Sequence, residues 1–357
     1  MIESLALGLP LRGYAVRVLC LREPGEIGAA LARRGVPVIS RLARFRFDPY
    51  ACIRLASVLR GDRGGVLLSL DHHDAVFAGA IASRCAGMRH RLLAVHSTGL
   101  WGRKSSFSWS DRLVLGAYER IIALAKAHAD HLSERERIER TKLSIIPNGI
   151  DAGRFKPAWS EGERAGLRSA LSIPGERFVV AIVAALRPEK NHAMRLEAAS
   201  RVAKRRDDFL FLVVGVGAEG ARLQRIARDL SLGELVRFMG RRDDVSDILA
   251  AADALVLCSH PVVETFPLVV LEGMACALPV VATDVGAVRE MLVSGEEGFI
   301  VPPGDVDALS AVLIELAGDG GMRRRVGIRA RERVMRDFTM ETMVQRYAAL
   351  ISDISGE

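Results

Sequence analysis

Phe178-Val179-Val180-Ala181-Ile182-Val183 reads as a β-strand. It runs into Ala184-Ala185-Leu186-Arg187-Pro188-Glu189-Lys190-Asn191-His192, a strand-to-helix loop carrying the cations Arg187 and Lys190. Similar β-rich runs follow at 209–214, 236–239, 254–258, 279–283 and 298–301, with amphipathic helical stretches between them. An earlier series occupies 15–20, 66–70, 91–95, 121–124 and 143–146, with helices expected over 74–86 and 127–139. Two successive strand–helix series argue for two doubly wound α/β domains. The join is expected within 147–174, a segment rich in Pro, Gly and polar residues. Ligands of such sheets bind beyond the carboxyl ends of the strands, so two facing sheets would give an interdomain cleft. The expected division is 1–155, 156–338 and an amphipathic helix in 339–357 that returns to the first domain.

Bulk properties fit this reading. The chain has 357 residues, 50% of them apolar and 26% charged, which suits a globular protein of two domains. No apolar run reaches the ~18 residues a membrane span needs. The first residues lack the basic segment of a secretion signal. Cys20, Cys52, Cys85, Cys258 and Cys276 are odd in number and scattered, with no metal-ligand spacing. No metal or other cofactor is therefore expected, and a reduced, cytoplasmic setting is. The net charge is +7, with basic clusters near 33–34, 41–46, 204–206 and 322–333. Aromatics do not interleave with them, which gives nucleic acid little to stack on. Solvated helix faces are the plainer explanation. Arg41-Leu42-Ala43-Arg44-Phe45-Arg46-Phe47 alternates basic and apolar residues and also suits a peripheral contact with an anionic membrane surface.

The second half contains Glu264-Thr265-Phe266-Pro267-Leu268-Val269-Val270-Leu271-Glu272-Gly273-Met274-Ala275. Leu268 to Cys276 is apolar nearly all round, the pattern of a buried helix. Glu272 is the single charge inside it. Desolvating a carboxylate costs several kcal/mol, so such a group calls for a partner. Pro267 suits the first helical position, leaving the amides of Leu268 to Val270 to point out of the helix N-terminus. That arrangement suits a phosphate, with one carboxylate beside it and another one to two turns on. A sugar nucleotide offers that combination.

Other segments have both structural and functional explanations. Arg187 and Lys190 lie where a diphosphate could be neutralised, although loop cations are commonly just solvated. Val214-Gly215-Val216-Gly217-Ala218-Glu219-Gly220 resembles a dinucleotide fingerprint, but the strand near Phe238 ends without the ribose-binding acid of a dehydrogenase. A tight turn admitting phosphate or base closely is preferred over a purely structural one. The turn at 283–287 and Glu290 are read as strand termination and as a capping or pairing residue as readily as site elements. In the first domain, His72, His73 and His96 follow strands, where a histidine can face a cleft and handle protons. A hydrogen-bonded structural histidine is the alternative. No nucleophile elbow is present.

Together these residues resemble the retaining glycosyltransferases of family 4, also called group 1. The likeness covers almost the whole chain and is densest from 146 to 305. Ile146-Pro147-Asn148-Gly149-Ile150-Asp151, with Phe155 and Pro157, resembles the family's interdomain segment. Arg237-Phe238-Met239-Gly240 resembles the strand that receives the base, Asp253 the aspartate before the next strand, and Glu264 to Glu272 the paired-glutamate signature. The resemblance implies a GT-B fold of two Rossmann-like domains, the second holding the donor. It implies that Glu264 bonds the donor sugar, Glu272 the ribose, and the Leu268 and Val269 amides the phosphate. Phe266, Pro267, Gly215, Gly217, Phe238 and Gly240 would complete the donor pocket. Lys190, with Arg187, would neutralise the diphosphate, and His96 would stand near the transferred sugar. The expected partners are a UDP- or GDP-linked sugar and a glycan or lipid-linked acceptor, in bacterial cell-surface polysaccharide or lipopolysaccharide biosynthesis.

The chain departs from the family in three places. Ala185 stands where an arginine is common, with Arg187 two residues on as its substitute. The family's Glu-Gly-Phe-Gly reads Glu264-Thr265-Phe266-Pro267. Met1 to Leu9 resembles the helix after the family's first strand, so an N-terminal domain lacking that strand is expected. The first and the third support an alternative, a truncated and catalytically weak paralogue that binds a nucleotide sugar or a partner.

Overall fold

The computed structural model describes the chain except residues 46–47, 49, 71–72, 98–106, 108, 262–263 and 357, together with the side chains of 73, 110 and 111. The chain divides into two units. One comprises Met1–Gly149 and Met340–Glu357, the other Ile150–Thr339.

In the first unit, β1 (Val18–Leu19) and β2 (Val38–Ile39) form a two-stranded parallel sheet. The strand expected over 15–20 thus shortens to the two residues that find a ladder partner. A four-stranded parallel sheet runs in the order β3 (Val66–Leu70), β4 (His90–Ala94), β5 (Arg120–Ala123), β6 (Leu143–Ile145). The final helix, Met340–Ser355, belongs to this unit. Met343, Val344, Tyr347 and Ile351 share one helical face, and they pack with Leu5, Leu92, Ala94, Ile122 and Ile146 in a common core. The helix expected over 127–139 is Lys126–Glu134. Arg137, at φ 59°, has a left-handed backbone that cannot continue it.

The second unit has six parallel strands: β7 (Phe178–Val183), β8 (Phe209–Val214), β9 (Val236–Gly240), β10 (Ala254–Leu257), β11 (Val280–Thr283) and β12 (Phe299–Val301). Their spatial order is β12-β11-β10-β7-β8-β9. Strands β8, β10 and β11 are buried along their whole length, and β7 along all but Val183, as sheets covered on both faces require. The chain winds outward from β7 through β8 and β9, then returns to the other side of β7 to lay down β10. The order therefore reverses between β7 and β10, and loops leaving their carboxyl ends diverge around a crevice.

Asp253 ties this centre together. It accepts from Arg164 Nη2 and Arg168 Nη2, each at 2.6 Å, and from the Val179 amide at 2.8 Å. The residue entering β10 is thereby fixed to β7. A carboxylate this buried is tolerable because its oxygens are fully engaged.

Candidate functional site

The loops after β7 and β10 meet at the reversal. Beyond β7, Pro188–Lys190 forms one 3-10 turn, and Asn191 (φ 47°) reverses the backbone before the helix His192–Ala203. Asn tolerates that conformation better than most residues. Lys190 Nζ is thus delivered onto Glu264 Oε1. Ser259 Oγ donates to the same oxygen at 2.6 Å, and Thr283 Oγ1 donates to the Ser259 carbonyl at 3.0 Å. The His260 amide joins the Glu189 carbonyl at 2.9 Å, so backbone as well as side chains link the two loops. Glu264 is 8% exposed.

The small-residue turn after β11 completes the crevice. A Cβ at Gly286 would collide with the Glu264 carbonyl oxygen, and its φ of 53° is itself glycine territory. The Ala287 amide donates to the Thr265 carbonyl at 3.0 Å. This turn therefore does more than terminate a strand, since it presses Glu264 into place.

The buried helix spans Leu268–Ala275. Pro267, expected at its first position, is instead the N-cap, with ψ 106°. The Val270 amide bonds the Pro267 carbonyl at 3.0 Å, so it is not available to a ligand as expected. Leu268 and Val269 hold the first two helical positions, whose amides have no partner inside a helix. Gly273 permits close packing on β10, because a Cβ there would meet the Leu255 side chain. Phe266 is buried and packs edge-on against Phe338, with ring centroids 5.8 Å apart. Its ring is thus part of the packing beneath the helix.

Glu272 is half-buried in this helix. Burial pushes its carboxyl up to about 7, and the positive charge of Arg154 draws it partly back down. The partner that the sequence called for is therefore a Coulombic neighbour.

Gly215 and Gly217 serve a protein–protein backbone approach. A Cβ on Gly215 would strike the Ala184 carbonyl and one on Gly217 the Leu186 carbonyl. Their smallness lets the loop after β8 lie against the loop bearing Lys190, where Leu186 and Val216 also share a backbone hydrogen bond of 3.0 Å. Gly240 closes β9 at φ 67° and accepts from the Gly215 amide at 2.8 Å. Phe238 packs against the core of the unit.

Arg187 stands away from the Lys190–Glu264 pair. Its side chain is 66% exposed, with Glu189 at 3.9 Å. Glu290 lies in the short helix Val288–Met291, where its carbonyl accepts from Arg333 Nη2 at 3.1 Å.

In the first unit, His96 follows β4 and neighbours His128. His128 is buried, its Nδ1 accepts from the Leu124 amide at 3.1 Å, and burial holds it neutral, its pKa lowered to about 3. His73 opens the helix His73–Ala86. His72 lies outside the described residues, as do Thr98, Gly99, Arg46 and Phe47. Sequence reasoning missed Ser259, His192, Arg195 and His128. Serine beside a strand end and histidine in a helix carry no periodic signal that would mark them.

Residues 163–333 match the model of the glycosyl transferases group 1, and residues 1–154 that of glycosyltransferase family 4. The chain is 25% identical over 324 residues to the N-acetyl-alpha-D-glucosaminyl L-malate synthase of Bacillus anthracis, spanning 88% of this chain and 82% of that one. It is 26% identical over 292 residues to the UDP-Gal:alpha-D-GlcNAc-diphosphoundecaprenol alpha-1,3-galactosyltransferase of Escherichia coli, spanning 80% and 74%. Anabaena HepE, solved in complex with UDP, superposes with a TM-score of 0.83 at 23% identity over 98% of this chain and 96% of that one. A Rickettsia africae glycosyltransferase gives 0.84 at 18% identity over 99% and 93%. Two parallel-sheet α/β units with these structural neighbours define a GT-B fold. The chain belongs to the family 4, or group 1, glycosyltransferases.

Proposed function

We propose that this chain is a retaining glycosyltransferase that moves a sugar from a UDP- or GDP-linked donor to a glycan or lipid-linked acceptor in cell-surface polysaccharide biosynthesis. The observation that carries the proposal is the Lys190–Glu264 contact at the β7/β10 reversal, with the N-terminus of Leu268–Ala275 a few residues away. Anabaena HepE, a structural neighbour solved with UDP, supports a nucleotide at this kind of fold. The Escherichia coli relative, named for a UDP-Gal donor and a diphosphoundecaprenol acceptor, supports a lipid-linked acceptor.

In this reading the Leu268 and Val269 amides take the donor phosphate, Glu272 the ribose hydroxyls and Glu264 the sugar hydroxyls. Lys190 leaves Glu264 for the diphosphate as negative charge grows on it, which is where a fixed cation lowers the barrier. The acceptor hydroxyl attacks from the face the diphosphate leaves, with that phosphate as base, so the anomeric configuration is kept. The basic and apolar stretch at 41–47 gives the enzyme a peripheral hold on an anionic membrane. The test is turnover of a panel of UDP- and GDP-sugars, with proton NMR of the product anomer, for the chain and for Glu264→Ala. Turnover lost in the variant supports the reading. A chain that binds neither nucleotide, with a variant that behaves identically, refutes it. Nucleotide binding without turnover would favour the binding-module alternative, which Ala185 supports by leaving the loop without its second inward cation.

A further inference from the structure

Arg195 is the largest of the fully buried side chains, at 2% exposure. It lies one turn along the helix His192–Ala203 from His192, so both side chains share a face. Its Nη1 is 2.9 Å from His192 Nδ1. Arginine can only donate, so Nδ1 accepts and the imidazole proton resides on Nε2. That nitrogen is 3.0 Å from the Ala185 carbonyl oxygen, to which it donates. Burial, reinforced by Arg195, lowers the His192 pKa to about 3, so the ring stays neutral. Its neighbours are Arg195, Lys190 and the Ala185 carbonyl.

The rest of the guanidinium lies against the Cys258 thiol, directly after β10, and faces the charge of Glu264. Its Nε and Nη2 reach no nitrogen or oxygen acceptor among the described residues. Burial pushes the arginine pKa down, while Cys258 and Glu264 pull it back up. An arginine held this way is less favourable than an apolar residue filling the same core. It thus touches His192, which holds the loop after β7, and Cys258 at the end of β10, and its charge acts on Glu264.

We propose that Arg195 is a positioning residue for that pair: it fixes His192 as the Nε2–H tautomer, which clasps the Ala185 carbonyl and closes the loop carrying Lys190, and its charge stays opposite Glu264 when the donor diphosphate draws Lys190 away. The second half rests on the donor-site reading given above; the first does not.

The test uses the full chain with 15N-labelled histidine, free and with UDP, together with UDP-glucose hydrolysis kinetics. In the wild type, His192 shows a neutral Nε2–H tautomer from pH 5.5 to 8. Arg195→Lys, which keeps a donor and a charge, retains that signature. Arg195→Met gives mixed tautomers and lowers kcat by ~10–100-fold through misplacement of the loop. UDP affinity falls by a smaller factor than kcat, because the helix amides and Glu272 still hold the nucleotide while the Lys190 contact is weakened. A wild-type His192 that carries its proton on Nδ1, or that titrates near neutrality, overturns the proposal even if no variant folds. So does a folded Arg195→Met with unchanged tautomer and kcat. Expected spectra with no binding of UDP or GDP would support the clasp while refuting the donor-site reading.

Discussion

Glu272→Gln isolates the energetic consequence of putting a carboxyl inside an apolar helix. The folded chain raises this group from its ordinary 4.5 to about 7, with burial as the main cause. Below pH 4.5 it is protonated whether the chain is folded or not, so its contribution to stability is fully present. Between pH 4.5 and 7 the unfolded chain releases the proton while the folded chain retains it, and stability falls. The loss is complete once pH has risen through 7. At ~1.4 kcal/mol per pH unit, that interval is worth about 3 kcal/mol. Glutamine fills the same space without ionising. The stability of Glu272→Gln relative to wild type should therefore climb by about 3 kcal/mol from pH 4.5 to pH 8. For a unit of this size that is ~6–12 °C in Tm. Thermal unfolding of both proteins by circular dichroism at pH 5, 6, 7 and 8 measures it, because every other titrating group is common to the pair. A difference that stays flat within ~0.5 kcal/mol would show that the carboxyl is not desolvated, and the linkage argument would fail. Under the donor reading, UDP binding near pH 6 should also release up to ~1 proton in wild type and none from this position in the variant.

Lys190→Met should lower turnover of the cognate nucleotide sugar by ~10²–10³-fold, the scale of one lost contact to a developing charge, and should also lower Tm, because the buried Glu264 loses its cation and keeps only the Ser259 hydroxyl; initial rates and calorimetry decide. Gly217→Ala drives a Cβ into the Leu186 carbonyl. It should cost ~1–3 kcal/mol by overpacking, read as a lower urea midpoint with reduced turnover. Asp253→Ala leaves Arg164, Arg168 and the Val179 amide without their shared acceptor. A loss of ~3–5 kcal/mol is expected for such a broken buried pair, measured by chemical unfolding. A loss below ~1 kcal/mol would mean that solvent satisfies those groups.

Strands were legible where burial left little choice of residue. The runs at 178–183 and 209–214 coincide with β7 and β8, since strands covered on both faces must be apolar throughout. The 15–20 run misled because hydrophobicity marks a segment that can pair, while the ladder's extent depends on the partner opposite, here only Val38–Ile39. Pro267 shows the same limit at a helix end: proline marked the boundary, but whether it caps or opens the helix is set by a backbone angle.

The Glu264–Glu272 stretch was conspicuous in sequence because charge inside an apolar helix is costly enough to stand out. Lys190 and Arg187 looked equivalent, three residues apart in one loop. Only the 3-10 turn and the reversal at Asn191 aim Lys190 at Glu264 and leave Arg187 exposed. Arg195 gave no sign, because a basic residue in a helix is normally solvated. Composition, periodicity and the paired glutamates thus determined by themselves that this chain builds two α/β units with parallel sheets and that the second carries its charged residues around a buried helix. Which cation meets Glu264, and which one is buried behind it, was decided by tertiary structure, since residues 190, 195, 259 and 264 become neighbours only where the strand order turns back between β7 and β10.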